Sequence, residues 1–194
     1  SGGQYRDGTT DITRTVAVGS PAPDIAASFT RVLQGMIAIS RLRFPKSVTG
    51  RDIDAFARAA LWAAGQDYGH GTGHGVGHHL CVHEGPQGIS RRADTVFQPG
   101  MIVSNEPGYY KSGSFGIRTE NLIVVRDCDP EFPGFYEFET LTYVPIDRRL
   151  IVSDMLSPSE RAWINGYHQT CRDIIGPRIN DETRLWLQRA TEPL

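Results

Sequence analysis

The amino-acid sequence predicts an α+β fold: a curved, mainly antiparallel sheet with two helices on its outer face and a cluster of polar side chains on its concave side. Three observations carry this expectation. Short runs rich in Thr, Ile and Val recur along the chain, bounded by Gly and Pro. Two long stretches, Asp24 to Arg43 and about Arg51 to Ala64, carry apolar residues at helical spacing and no polar cluster. Asp11, His74, Glu106 and Glu120 all fall on strand-like segments rather than on those helices.

The opening residues, SGGQYRDGTTDITRTVAVG, carry no initiator methionine, so the chain is expected to be part of a longer protein. They run into a strand expected from Asp11 to Val18. Asp11 stands at its start, where a turn or cap role and a chemical one are both open. Pro21-Ala22-Pro23 breaks the strand. Ile25, Phe29, Val32, Leu33, Met36 and Ile37 then mark a helix that Phe44-Pro45 ends. In the second helix Ile53, Phe56, Ala60, Leu61 and Ala64 share one face, and Gly65 supplies the stop.

Farther on, Gln98-Pro99-Gly100 is a turn into a short apolar strand, Met101 to Pro107, with Glu106 at its exit. Gly108 to Gly116 resembles a hairpin loop. Ile117 to Val125 is expected as one strand with Arg118, Glu120, Leu122 and Val124 on a common face. Glu137 to Pro145 is a further strand. Pro158 to Ile175 is a helix with Trp163, Ile164, Tyr167, Cys171 and Ile174 along a stripe, and Asp181 to Ala190 is a last amphipathic piece.

With 194 residues and 39% hydrophobic content, the chain can bury one substantial core. Twenty basic against 22 acidic residues leave a formal charge of -2, which offers no footprint for nucleic acid. No apolar stretch reaches the roughly 18 residues of a membrane span. Cys81, Cys128 and Cys171 are far apart with no CxxC spacing, which fits a reducing compartment and a soluble, cytoplasmic protein.

Gly69 to Pro86, GHGTGHGVGHHLCVHEGP, holds five of the six histidines. Glycine occupies every odd position from Gly69 to Gly77. An extended backbone here presents His70, Thr72, His74, Val76 and His78 on one face with no bulky neighbour on the other. The alternative is a Gly-rich loop with solvated histidines. Glu120, in so apolar a strand, needs a partner: an arginine such as Arg118, or a metal toward which Arg118 only orients it. Asp11, His74, Glu106 and Glu120 together are three carboxylates and one imidazole. That set suits Mn, Co, Fe or Zn, with carboxylate dominance favouring Mn. Two divalent ions roughly 3.5 to 4 Å apart compensate converging carboxylates and activate a shared water.

The stretches SGGQYRDGTTDITRT, GHGTGHGVGHHLCVHEGP, SNEPGYY and GIRTEN resemble the pita-bread metallopeptidases, most closely the aminopeptidase P branch, and the tail NGYHQTCRDIIG resembles the C-terminal extension of its longer, cytosolic type. The resemblance implies a pita-bread (creatinase/aminopeptidase) fold, incomplete at its N-terminus, with residues 1–150 as the catalytic domain and 151–194 as a helical extension. It implies release of an N-terminal residue from peptides with proline in second place, two divalent ions (Mn2+ first, Co2+ or Zn2+ as alternatives), and a homodimer. Metal ligands by resemblance are Asp11, His74, Glu106 and Glu120. His70 and His83 match the histidines that handle substrate and protons, Glu106 the carboxylate that takes a proton from water, and Arg118 the arginine that steadies the glutamate. His78 and His79 have no assigned role.

The family's first aspartate falls eleven residues before its second, immediately upstream of Ser1. The chain by itself is therefore expected to bind metal poorly and to be inactive, while its parent is active. Dimerisation is expected through the C-terminal region, because Trp163, Tyr167, Trp186 and Leu187 offer more apolar surface than a short tail buries on itself. A dipeptide-specific prolidase is the nearest rival, and a non-catalytic pita-bread binding protein the rival of a different class. An HExxH zinc site is excluded because His83-Glu84 lacks its second histidine, and a dinucleotide fingerprint fails at Val76.

Overall fold

Apolar spacing and capping residues together decide where the helices lie. The computed structural model describes residues 2–194. Its elements run β1 (Gly2–Tyr5), β2 (Gly8–Asp11), α1 (Pro23–Ser40), β3 (Arg43–Pro45), α2 (Gly50–Trp62), β4 (Gly73–His74), β5 (Gly88–Ile89), β6 (Ile102–Asn105), β7 (Gly108–Lys111), β8 (Phe115–Arg118), β9 (Asn121–Asp127), β10 (Phe135–Thr140), α3 (Pro158–Ile175) and α4 (Asp181–Ala190). Proline opens α1, where its fixed φ suits the first turn. Reciprocal capping boxes start α2 (Thr49 with Asp52) and α3 (Ser157 with Glu160). Asn180 caps α4 by accepting from the Thr183 N–H at 2.8 Å.

Phe29, Val32, Leu33, Met36 and Ile37 of α1 pack with Ile117, Ile146 and Ile164 in one fully buried cluster. Ile39, with Ile53 and Ala57 of α2, packs on Val103, Ile123, Val125 and Phe138 of the sheet. Each such side chain contributes about 1.5–3 kcal/mol on burial. The sheet has the order β3-β10-β9-β6, and all its neighbours are antiparallel, as are the ribbons β1-β2, β4-β5 and β7-β8. Strand alternation in β6 then positions the site. Val103 and Asn105 turn to the helices, the Asn105 amide donating to the Met36 carbonyl at 2.9 Å, whereas Ser104 and Glu106 belong to the opposite side.

Several local expectations are corrected. The strand expected at Asp11 to Val18 lies earlier, as a hairpin of residues 2–5 on 8–11. Residues 12–17 take no ladder because their polar groups serve 118–121 instead: Glu120 N–H donates to Thr13 O at 3.0 Å, and Arg118 N–H to Thr15 Oγ1 at 3.1 Å. Ile117 to Val125 is broken at Thr119 and Glu120, and the strand expected to Pro145 ends at Thr140. The histidine stretch pairs as strand only at β4 and at Gly75, which bridges Val103. Thr72 is buried and donates to Asp54 of α2 at 2.6 Å, so it does not share a face with His74. In α2 the buried face is Ile53, Asp54, Ala57, Arg58 and Leu61, while Phe56 and Ala64 are exposed, so the helix does carry a polar cluster. Residues 43–45, read as a helix end, form β3 against β10.

In the C-terminal part, Trp163 stacks on Tyr167 at 5.3 Å, and Tyr167 and Leu187 are buried within the chain, leaving Trp186 at 54% exposure. His168 is also buried, accepting the Ile146 N–H on Nε2 at 3.1 Å. Burial, reinforced by Arg148, Arg172 and Arg14, lowers its pKa to about 4. The unfolded chain protonates this group near pH 6.5 while the folded one resists until about pH 4, so its contribution to stability is full above pH 6.5 and is lost as pH falls. Between pH 7 and pH 5 the loss is about 2 kcal/mol. Urea unfolding at both pH values should show this fall, reduced in His168→Gln; an unchanged fall in the variant would assign it to other groups.

Candidate metal centre

Four segments deliver the polar cluster. Asp11 ends β2, His74 ends β4, Glu106 follows β6, and Glu120 sits in the break between β8 and β9. Ligand atoms of His74, Glu106 and Glu120 lie within 4.8 Å of one another, as do those of Asp11, His74 and His83. His74 belongs to both groups. Glycine permits this convergence: a Cβ on Gly73 would stand 1.8 Å from the Ser104 carbonyl oxygen, and one on Gly77 2.0 Å from that of Cys81.

His74 Nδ1 lies 2.8 Å from the Gly75 carbonyl, which fixes the ring and turns Nε2 to the carboxylates. Nε2 stands 3.2 Å from Glu106 Oε1 and 3.4 Å from Asp11 Oδ2, without hydrogen-bonding geometry. Glu120, at 1% exposure, accepts the Thr13 hydroxyl on Oε2 at 2.6 Å, while Oε1 is buried without a partner among the described residues. Buried polar atoms are rarely left unpaired. An imidazole nitrogen and a carboxylate oxygen without partners, on residues clustered with further acids, form a donor set that fits a divalent cation.

The two glutamates have opposite electrostatic surroundings. Burial and the like charges of Glu106 and Asp11 raise the Glu120 pKa against the opposing Thr13 bond. For Glu106, burial is outweighed by His74, by the Ser104 hydroxyl at 2.9 Å and by Arg118, and its pKa is lowered. His74 is raised, since the neighbouring carboxylates and the Gly75 carbonyl outweigh burial.

The other sequence-predicted residues surround this cluster. His83 packs edge-on against His74, ring centroids 4.1 Å apart. His70 stands apart from the ligand atoms but lines the same cavity of about 940 Å3, its Nε2 2.9 Å from the Tyr110 hydroxyl. Arg118 does not touch the Glu120 carboxylate. Its Nε donates to Thr13 Oγ1 at 3.0 Å and stands 3.7 Å from Glu106 Oε2, so it reaches Glu120 only through Thr13. His78 and His79 are exposed, although the His78 carbonyl accepts from Thr9 at 3.1 Å and Gln4 at 3.3 Å. Sequence reading missed Thr13, Arg14, Ser104 and Tyr110. Their only signal is position: Thr13 and Ser104 lie two residues and Arg14 three from an acid in DITRT and SNEPGYY, and Tyr110 lies beside a second tyrosine.

These features define an α+β scaffold with a carboxylate-rich cluster whose donor atoms could hold a metal ion. The model for metallopeptidase family M24 matches residues 1–127, and that for the C-terminal region of M24 peptidases matches 134–194. The chain belongs to metallopeptidase family M24 and has the pita-bread fold. It is 50% identical over 199 residues to human Xaa-Pro aminopeptidase 2, covering 100% of this chain and 29% of that protein. The X-prolyl aminopeptidase of Caenorhabditis elegans, described as a cytosolic enzyme with a di-nuclear active site, superposes with a TM-score of 0.94 at 37% identity, over 100% of this chain and 32% of its own. Prolidase from Pyrococcus furiosus gives 0.64 at 29% identity, over 74% of this chain and 40% of its own. The chain thus spans about 30% of the length of the aminopeptidases it matches.

Proposed function

We propose that the full-length protein containing this chain is a metal-dependent exopeptidase that releases the N-terminal residue from peptides with proline in second place. The observation that supports it most is the pair of orphaned, buried ligand atoms on His74 and Glu120 amid Asp11 and Glu106, in a chain of this family. The 50% identity to an Xaa-Pro aminopeptidase, against 29% to the prolidase, favours the aminopeptidase over the dipeptidase.

Asp11, His74, Glu106 and Glu120 would hold two divalent ions, Mn2+ by preference with Co2+ or Zn2+ as alternatives; bound there, the ions supply Lewis acidity toward a water and the scissile carbonyl. Glu106, held ionised by Ser104, His74 and Arg118, accepts the proton of the attacking water. His83 or His70 donates to the oxygen on which negative charge develops. Arg118 steadies Glu106 directly and Glu120 through Thr13. Residues 1–150 form the catalytic unit and 151–194 its helical extension. Exposed Leu185 and Trp186 fit a homodimer contact, and the absence of a CxxC pair fits a cytoplasmic setting. Among the described residues no helix is long and apolar enough to cross a membrane.

The test is hydrolysis of an Xaa-Pro-Xaa tripeptide and of an Xaa-Pro dipeptide by the full-length protein, before and after chelation and with Mn2+ restored. Tripeptide cleavage that chelation removes and Mn2+ restores is expected. Preferential cleavage of the dipeptide would make the protein a prolidase, and Mn2+ binding with no turnover of either would make it a binding protein.

A further inference from the structure

We infer that helix α3 is a working part of the metal centre, its Tyr167 hydroxyl acting as a positioning group that holds Glu120 through Arg14. The inference rests on Glu120 being a metal ligand, as proposed above. Glu120 lies in the break between β8 and β9, outside any strand ladder, and its N–H, unlike that of Thr119 on the Pro107 carbonyl, is not taken up by a neighbouring strand segment of the sheet. The fixing comes from Thr13 and Arg14. Glu120 N–H donates to Thr13 O at 3.0 Å, the Thr13 hydroxyl donates to Glu120 Oε2 at 2.6 Å, and Arg14 Nη1 donates to Glu120 O at 2.5 Å. Glu120 is thereby gripped at its amide, its carbonyl and its carboxylate.

Arg14 is in turn held by the C-terminal part of the chain. Its Nη2 donates to the Tyr167 hydroxyl at 2.8 Å, to Asn121 Oδ1 at 2.6 Å and to Val144 O at 2.8 Å. The Tyr167 oxygen also accepts the Val144 N–H at 3.0 Å and lies within donating distance of the Val144 and Thr142 carbonyls, at 2.8 and 3.1 Å. A guanidinium is a rigid planar fork, so fixing Nη2 fixes the direction of Nη1. The Tyr167 ring itself is placed by stacking on Trp163 and Tyr143, at 5.3 and 6.1 Å between centroids. Tyr167→Phe therefore keeps the packing and removes only the hydroxyl.

The test uses the full-length protein stripped of metal. Isothermal titration with Mn2+, hydrogen exchange at the Glu120 amide, and kcat with KM on the tripeptide are compared in wild type, Tyr167→Phe and Phe44→Leu. Tyr167→Phe should weaken Mn2+ binding about tenfold, the lower end for partners behind a ligand. It should also speed exchange at the Glu120 amide and lower kcat with KM nearly unchanged. Phe44→Leu, in the core cluster that holds neither Tyr167 nor Arg14, should lower the melting temperature with Mn2+ affinity kept. Wild-type Mn2+ affinity in Tyr167→Phe, or equal losses in both variants, overturns the inference. A wild type that takes up no Mn2+ overturns the metal reading itself, and the inference with it.

Discussion

Glu120→Ala in the full-length protein should lower kcat/KM on an Xaa-Pro-Xaa peptide by about a thousandfold or more, because a lost metal ligand removes several kcal/mol of transition-state stabilisation. The size of the effect follows from the surroundings. Glu120 is buried, one of its oxygens is spoken for by Thr13, and the other has no partner among the described residues. No neighbour replaces its charge: Arg118 has the wrong sign, and Glu106 is already engaged by Ser104 and His74. Glu106→Ala should be as damaging for the same reason. His78→Ala, altering an exposed side chain, should leave kcat/KM within about twofold. Steady-state kinetics on the three variants decide the matter, and full activity in Glu120→Ala would show that the cluster is not the reacting centre.

Arg58→Met should produce the largest loss of stability. Arg58 and Asp54 are buried on α2, at 3% and 2% side-chain exposure, and paired at 2.8 Å. Arg58 also donates to Asp67 at 2.8 Å, to the Tyr68 carbonyl at 2.8 Å and to the His70 carbonyl at 2.7 Å, and lies over the Tyr68 ring at 3.9 Å. Removing it strands the Asp54 carboxylate with Thr72 alone and frees two loop carbonyls. Breaking a buried pair in this way costs about 3–5 kcal/mol. In a chain of this size that lowers the melting temperature by about 10 °C. The double variant Asp54→Leu with Arg58→Met should recover part of the loss, since no buried charge is left unpaired. A melting temperature within about 2 °C of wild type for Arg58→Met would show that the pair is not structural.

The same pair marks where sequence reading stops. Helices α3 and α4 were legible because stripe and caps agree, Ser157 with Glu160 and Asn180 with Thr183. Asp54 and Arg58 were not, because an i,i+4 acid and base on a helix read as a solvated pair unless the loop that covers them is known. Glu106 was placed correctly at a strand exit. The proposed ligand residues stood out because hard oxygen donors on strand-like, apolar segments need a compensating charge. The break at Glu120 was hidden, because IRTENLIVV alternates well enough for one strand while the interruption is imposed by Thr13 and Arg14 from more than a hundred residues away. The glycines of the histidine stretch pointed to a bare backbone for the right reason. Their purpose, close approach of Gly73 to Ser104 and of Gly77 to Cys81, is a tertiary fact that no local pattern carries.

The most direct measurement is anomalous diffraction at the manganese edge from crystals of the full-length protein soaked in Mn2+. Peaks are expected within bonding distance of His74 Nε2 and Glu120 Oε1, the buried atoms of the cluster that have no hydrogen-bond partner among the described residues. Peaks confined to other acidic groups, or none in crystals of protein that still cleaves the tripeptide, would contradict a metal centre built on Asp11, His74, Glu106 and Glu120.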